Sequence, residues 1–320
     1  MRRLFFTLSV IFLLINLSSA EAGERVLLDE AGRRVEVPLS AKRIISLAPS
    51  ITEILFALGL RQEIIGVTNF CDYPEEVVTK PRIGGFVNPD VEKIVSLKPD
   101  LVIAIADGNR WDTIRRLSDL GFPIYTVDPN GFDGVIQTIR NMGKITGKTE
   151  EATTLVQRMM KKKEKVVTLI RFLPRPAVFF QVGDAPVITV GKGTLANDLI
   201  RLAGGRSISE NEPLRYPPYS TETILSKAPE IIIFSSMDNR KSYSDLIRRW
   251  QTWKGIPAVK SNSIYVIDSN LVDRPAPRIV EGLEALARMI HPEVFLERGH
   301  TKGANKKGIS EKSLDNMRSL

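Results

Sequence analysis

Residues 91–104, VEKIVSLKPDLVIA, recur in altered form as TETILSKAPEIIIF at residues 221–234, which sets Glu92 over Glu222, Ser96 over Ser226 and Pro99 over Pro229. Each copy reads as a short helix, a turn and an apolar run of strand length. Two further pairs keep the same order: SITEILFALG (50–59) with TLANDLIRLAG (194–204), and IYTVD (124–128) with IYVID (264–268). An ordered self-match marks duplicated architecture, which periodicity alone does not reveal. The chain therefore reads as two α/β lobes of like topology.

Within the first copy, the strand-like opening RVLLDEAGRRVEVP (25–38) precedes a buried-strand run from Arg43 to Ala48. Ser50 and Glu53 have the spacing of a capping box for a helix that Gly59 ends. Strands at Ile64–Val67, Leu101–Ala106 and 123–128 alternate with helices at Val91–Leu97 and Trp111–Leu120, which predicts parallel-type sheets covered on both faces. Between the copies, KTEEATTLVQRMMKKKEKVVTLIRF (148–172) contains neither Gly nor Pro. It predicts one long interlobe helix, capped by Thr149 and stopped by Pro174 and Pro176. About 23 helical residues at ~1.5 Å each would reach ~35 Å, along the back of both lobes, leaving a cleft opposite. The expected divisions are an N-terminal lobe at 23–147, the helix at 148–173 and a C-terminal lobe at 174–296.

The two ends read differently. Arg2 and Arg3, an apolar run from Leu4 to Leu17 and small residues at Ser18, Ala20 and Ala22 give residues 1–22 the pattern of a cleavable signal peptide. The run is shorter than the ~20 residues of a spanning helix, and no cysteine follows it to accept a lipid, so the expectation is soluble export to the periplasm. Residues 297–320 are rich in Lys, Arg, Gly and Ser and predict a disordered basic tail. The 320 residues carry a formal net charge of +8, yet residues 23–296 hold 37 basic and 33 acidic residues. That is an ordinary mixed surface, so no nucleic-acid partner is expected.

One cysteine, Cys71, and two histidines, His291 and His300, leave little for metal, thiol or histidine base chemistry. GKGT at 191–194 fails the phosphate-loop pattern and reads as a glycine turn opening a helix at Thr194. His291, before a proline at a helix end, reads as a capping or surface residue, and Cys71 as an incidental loop thiol. No catalytic centre, metal site or cofactor is expected. What remains are Glu92 and Glu222, matched first-turn carboxylates suited to docking on paired basic pockets. The loops expected to face the cleft carry Phe70, Tyr73, Phe86, Tyr216, Tyr219 and Arg274, an aromatic wall for a bulky, partly apolar ligand.

Taken in order, RIISLAPSITEILFALGL, GVTNFCDYPEE, VNPDVEKIVSLKPDLVIA, the long helix, YPPYSTETILSKAPEIIIF and DRPAPRIVEGLEAL resemble the periplasmic substrate-binding proteins of ABC importers for cobalamin and ferric siderophores. The resemblance covers roughly residues 40–292 and is nearest to the cobalamin-binding branch. It implies a rigid, monomeric receptor with one helix joining two lobes, which delivers cobalamin or a related corrinoid to a membrane permease. Glu92 and Glu222 then match the glutamates that meet permease arginines. Phe70, Phe86, Tyr216, Asn270 and Arg274 fall where cobalamin-binding relatives place ligand contacts. Phe86 and Tyr216 stand where such relatives carry tryptophan, Phe70 where they carry tyrosine, and Asn270 where they carry an acid. A ferric siderophore or haem is the alternative ligand, for which Arg274, Arg82, Arg110 and Arg215 are the candidate anion partners. A metal- or cluster-binding enzyme of similar bilobal shape is the remaining alternative, disfavoured by the scarcity of Cys and His.

Overall fold

The computed structural model describes residues 23–235 and 243–299. The signal-peptide segment 1–22 and residues 300–320 of the expected tail lie outside the described residues, whereas residues 297–299 close a helix, Pro292–Gly299.

The N-terminal lobe opens with an antiparallel hairpin of β1 (Glu24–Leu28) and β2 (Arg34–Pro38). A four-stranded sheet follows, from β3 (Ile44–Ser46), β4 (Ile64–Val67), β5 (Leu101–Ile105) and β6 (Ile124–Val127). Its order is β4-β3-β5-β6 and every pairing is parallel. All five residues of β5 and all four of β6 are buried, as expected of strands covered by helices on both faces.

The C-terminal lobe repeats this plan. Its strands are β7 (Ala177–Asp184), β8 (Val187–Thr189), β9 (Arg206–Ser207), β10 (Ile231–Ser235) and β11 (Ile264–Ile267). β11, β10, β7 and β9 are joined by parallel pairings in the order in which β6, β5, β3 and β4 are joined. The departure is β8, which pairs antiparallel with β7. Only two residues separate these strands, and a parallel return needs a crossover of a dozen residues or more.

A single helix, Thr149–Ile170, joins the lobes; its cap position is Lys148 with no side-chain bond, so Thr149 does not serve as the cap. Leu155, Val156, Met159, Val166 and Ile170 form its buried face, within one continuous apolar cluster that draws on both lobes. Phe132, Val135 and Ile139 join that cluster from the N-terminal side, and Leu199, Ile200, Leu283 and Leu286 from the C-terminal side. Moving one lobe relative to the other would disturb close-packed core as well as a hinge, which favours a fixed relative orientation. Among the described residues, no helix is long and apolar enough to cross a membrane.

Candidate cleft site between the lobes

Parallel strands direct their C-terminal ends, and the loops after them, to one edge of each sheet, and ligands gather there. Here both edges face one cavity of about 710 Å³. The N-terminal lobe lines it with Ser50 after β3, Phe70 and Asp72 after β4, Asp107 and Gly108 after β5, and Asp128 after β6. The C-terminal lobe contributes Arg215 and Tyr216, then Asn270, Asp273 and Arg274 after β11. Phe70, Phe86, Tyr216, Asn270 and Arg274 are thus brought together in the lining.

Phe70 is 60% exposed and Tyr216 50%, leaving ring faces free at the mouth. Phe86 is held more tightly. A Cβ on Gly108 would lie 2.1 Å from the Phe86 Cζ, and Gly108 has φ +137°, so only glycine lets the chain pass against that ring. The Asn109 amide, buried between strand ends, donates to Leu47 O at 2.9 Å and Phe86 O at 2.8 Å and accepts from Ile105 N at 2.8 Å. Asn109 gave no signal in the sequence, because an asparagine among loop residues is ordinarily a turn former.

The remaining expected aromatics have other roles. Tyr219 is buried in the C-terminal lobe, its hydroxyl 2.8 Å from Glu212 Oε1, and it anchors its loop instead of facing the cavity. Tyr73 lies beneath the Arg278 guanidinium, 4.0 Å from the ring centre to Cζ. Arg82 donates to Thr68 O and Cys71 O, and Arg110 pairs with Asp112; neither lines the cavity. Cys71 is buried, with its Sγ 3.2 Å from the Thr52 and Thr68 hydroxyls. His291 occupies the helix C-cap position and is buried, so the surface reading of it is corrected. Thr194 opens its helix as expected, its hydroxyl accepting from Asn197 N.

Ser50 does not cap. The helix begins at Pro49 with Ala48 in the cap position, because proline supplies the helical φ at N1 and needs no donor. Glu53 is thereby turned inward, only 3% exposed, and meets two arginines of the other lobe. Arg278 donates to it from Nε at 2.8 Å and from Nη2 at 2.6 Å, while Arg274 Nη1 lies 3.5 Å away. Arg274 also holds Asp72 through both terminal nitrogens. Burial works against the Asp72 carboxylate, yet the hydrogen bond and charge of Arg274 outweigh it and leave its pKa below the usual value. A third cross-lobe pair, Arg215–Asp107, spans 3.3 Å.

Among the described residues, four aspartates and two arginines are the charged side chains of the lining. Both arginines already face aspartates from the opposite lobe. Asp273 accepts from the Ser235 hydroxyl at 2.6 Å, and burial, reinforced by Asp268, pushes its pKa up to about 6 against that bond. The Tyr216 phenol is likewise raised, by burial first and then by Asp107, so it stays protonated near neutrality. Glu92 and Glu222 do not line the cavity; they are exposed in the first turns of Val91–Ser96 and Thr221–Lys227, behind the caps Asp90 and Ser220.

Residues 44–271 match the family model described as "Periplasmic binding protein". An uncharacterized ABC transporter substrate-binding lipoprotein of Bacillus subtilis, YvrC, is 33% identical over 84% of this chain and 86% of its own. A vitamin B12-binding protein of Vibrio cholerae is 28% identical over 77% of this chain and 88% of its own. The crystal structure of the periplasmic vitamin B12-binding protein BtuF of Vibrio cholerae superposes with a TM-score of 0.70 at 28% identity, covering 78% of this chain and 96% of that one.

Proposed function

The chain belongs to the periplasmic binding protein family, as a non-enzymatic extracytoplasmic solute-binding protein of an ABC importer, and we propose that its ligand is cobalamin or a related corrinoid. The observation that carries the choice of ligand is the charge of the cleft. Among the described residues, its two arginines are already matched by Asp107 and Asp72, and Asp128 and Asp273 add two carboxylates with no cation opposite them in the lining.

A haem or an anionic ferric siderophore would bring further negative charge into that setting. At ~8 Å and an effective dielectric of ~20, each like-charge pair costs about 2 kcal/mol, enough to lose more than tenfold in affinity. A corrinoid presents a broad apolar face and a rim of neutral carboxamides instead. Phe70, Phe86 and Tyr216 suit the face, and Asn270 with the charged pairs suits the rim. The vitamin B12-binding relatives support the same choice.

Delivery would use Glu92 and Glu222, one exposed carboxylate on each lobe at equivalent places in the duplicated plan.

The test is calorimetric titration of the purified protein with cyanocobalamin, haemin and a ferric tricatecholate. Saturable one-to-one binding of cyanocobalamin alone is expected. Uptake of haemin or the tricatecholate in its place would overturn the corrinoid reading.

A further inference from the structure

Three arginines of the C-terminal lobe reach acids of the N-terminal lobe, and they differ in what they have left to offer. Arg278 is spent on Glu53 through two hydrogen bonds. Arg274 is spent on Asp72 through both terminal nitrogens. Arg215 has only a single 3.3 Å contact with Asp107, and its Nε, shielded from solvent, has no acceptor among the described residues. Its side chain as a whole is 41% exposed, so the guanidinium beyond that single contact is open to a ligand oxygen. Arg215 and Asp107 both line the cavity, beside Tyr216.

We propose that the Arg215–Asp107 pair is the polar anchor of the cleft, reading a primary carboxamide on the ligand, while Arg274 serves chiefly as a tie between the lobes. A carboxamide edge presents a carbonyl acceptor beside an N–H donor. A guanidinium beside a carboxylate presents the reverse, so both partners are satisfied with no change in net charge. A ligand carboxylate in the same place would satisfy Arg215 and repel Asp107. The pair therefore discriminates amide from acid, which a lone arginine would do in the opposite sense. The choice of carboxamide rests on the corrinoid reading, whereas the assignment of Arg215 as the free anchor does not.

The experiment has two arms. In the first, the ligand-free protein labelled with 15N-arginine is titrated with acetamide, with the Nε–H resonance of Arg278, already bonded to Glu53, as internal control. A shift of the Arg215 resonance with Arg278 unmoved is expected, and an unmoved Arg215 overturns the anchor whatever the natural ligand is. In the second, wild type, Arg215→Gln, Asp107→Asn and Arg274→Gln are titrated with cyanocobalamin and with its side-chain monocarboxylic acids. Both anchor variants should lose about tenfold in affinity with an unchanged melting temperature, and Asp107→Asn should close the gap between amide and acid. Arg274→Gln should lower the melting temperature with a smaller loss of affinity. A larger affinity loss in Arg274→Gln than in Arg215→Gln overturns the assignment. Failure of wild type to bind any corrinoid, with the acetamide shift intact, removes the corrinoid reading and the carboxamide choice but leaves Arg215 as the anchor.

Discussion

Arg278 of the C-terminal lobe grips Glu53 of the N-terminal lobe through two hydrogen bonds, at 2.8 and 2.6 Å. Neither charge lines the cavity; Glu53 is almost wholly buried, and Arg274 lies 3.5 Å from the same carboxylate. Removing one partner of a buried pair strands the other, at a cost of about 3–5 kcal/mol. Glu53→Ala should therefore lower the melting temperature markedly. Replacing both partners, as Glu53→Leu with Arg278→Met, should recover much of the loss in a thermal melt, because the stranded charge is gone. A double variant no more stable than Glu53→Ala would show that the pair is not the source of the effect.

Gly108 decides where Phe86 sits. An alanine there would place its Cβ within 2.1 Å of the ring and require a residue with a side chain at φ +137°. The ring is the part able to yield, since its own backbone is pinned by Asn109. Gly108→Ala should displace Phe86 from the cavity wall and weaken cyanocobalamin binding by tenfold or more in calorimetry. Asn109→Ala should cost both stability and affinity, since it releases Leu47 O, Ile105 N and Phe86 O together.

The sequence revealed the duplication and most of the strands because both rest on apolar runs and on self-similarity, which survive divergence. It misled at Ser50, where a capping-box spacing coincided with a proline start; the carboxylate read as a local cap is the one that crosses the lobes. Long-range ion pairs such as Glu53–Arg278 leave no periodic trace, because partners 225 residues apart are joined only by the fold. Phe70, Phe86 and Tyr216 were legible as loop aromatics. Tyr219, three residues from Tyr216, was not separable from it, since the direction of a loop side chain depends on packing that spacing does not encode.

Asp273 gives the protein a characteristic response to pH. Its pKa is about 6 in the folded chain against an ordinary value of 3.8, with burial the main cause. Between pH ~4 and ~6 the folded state holds a proton that the unfolded state has released, so this group makes stability fall as pH rises through that window. Asp72 works the other way, its pKa being lowered, and its contribution is lost as the medium becomes acidic. The difference between wild type and Asp273→Asn isolates the first effect. The variant should be the more stable at pH 7.5, and the two should converge towards pH 4 in parallel denaturant melts. A difference that does not change with pH would show that the carboxyl has no raised pKa.

Glu92 and Glu222 are distinguishable from ordinary helix-dipole residues by what happens when they are reversed. Each is exposed in a first turn, where a carboxylate stabilises a helix by only about 0.3–1 kcal/mol, and the structural caps are Asp90 and Ser220. The pKa of Glu222 is lowered by its own backbone hydrogen bond and by Ser220, which accounts for local order but not for the recurrence of a glutamate on the other lobe. Glu92→Arg combined with Glu222→Arg should leave the fold and the affinity for cyanocobalamin within about twofold of wild type, because neither residue lines the cavity. Uptake by cells or vesicles carrying the cognate permease should nevertheless be abolished, since two attractive contacts become repulsive against basic pockets. Each single reversal should retain partial uptake, with the loss eased at high concentrations of the binding protein and deepened at low salt. Unchanged uptake in the double variant would leave the carboxylates with the helix dipole as their whole role.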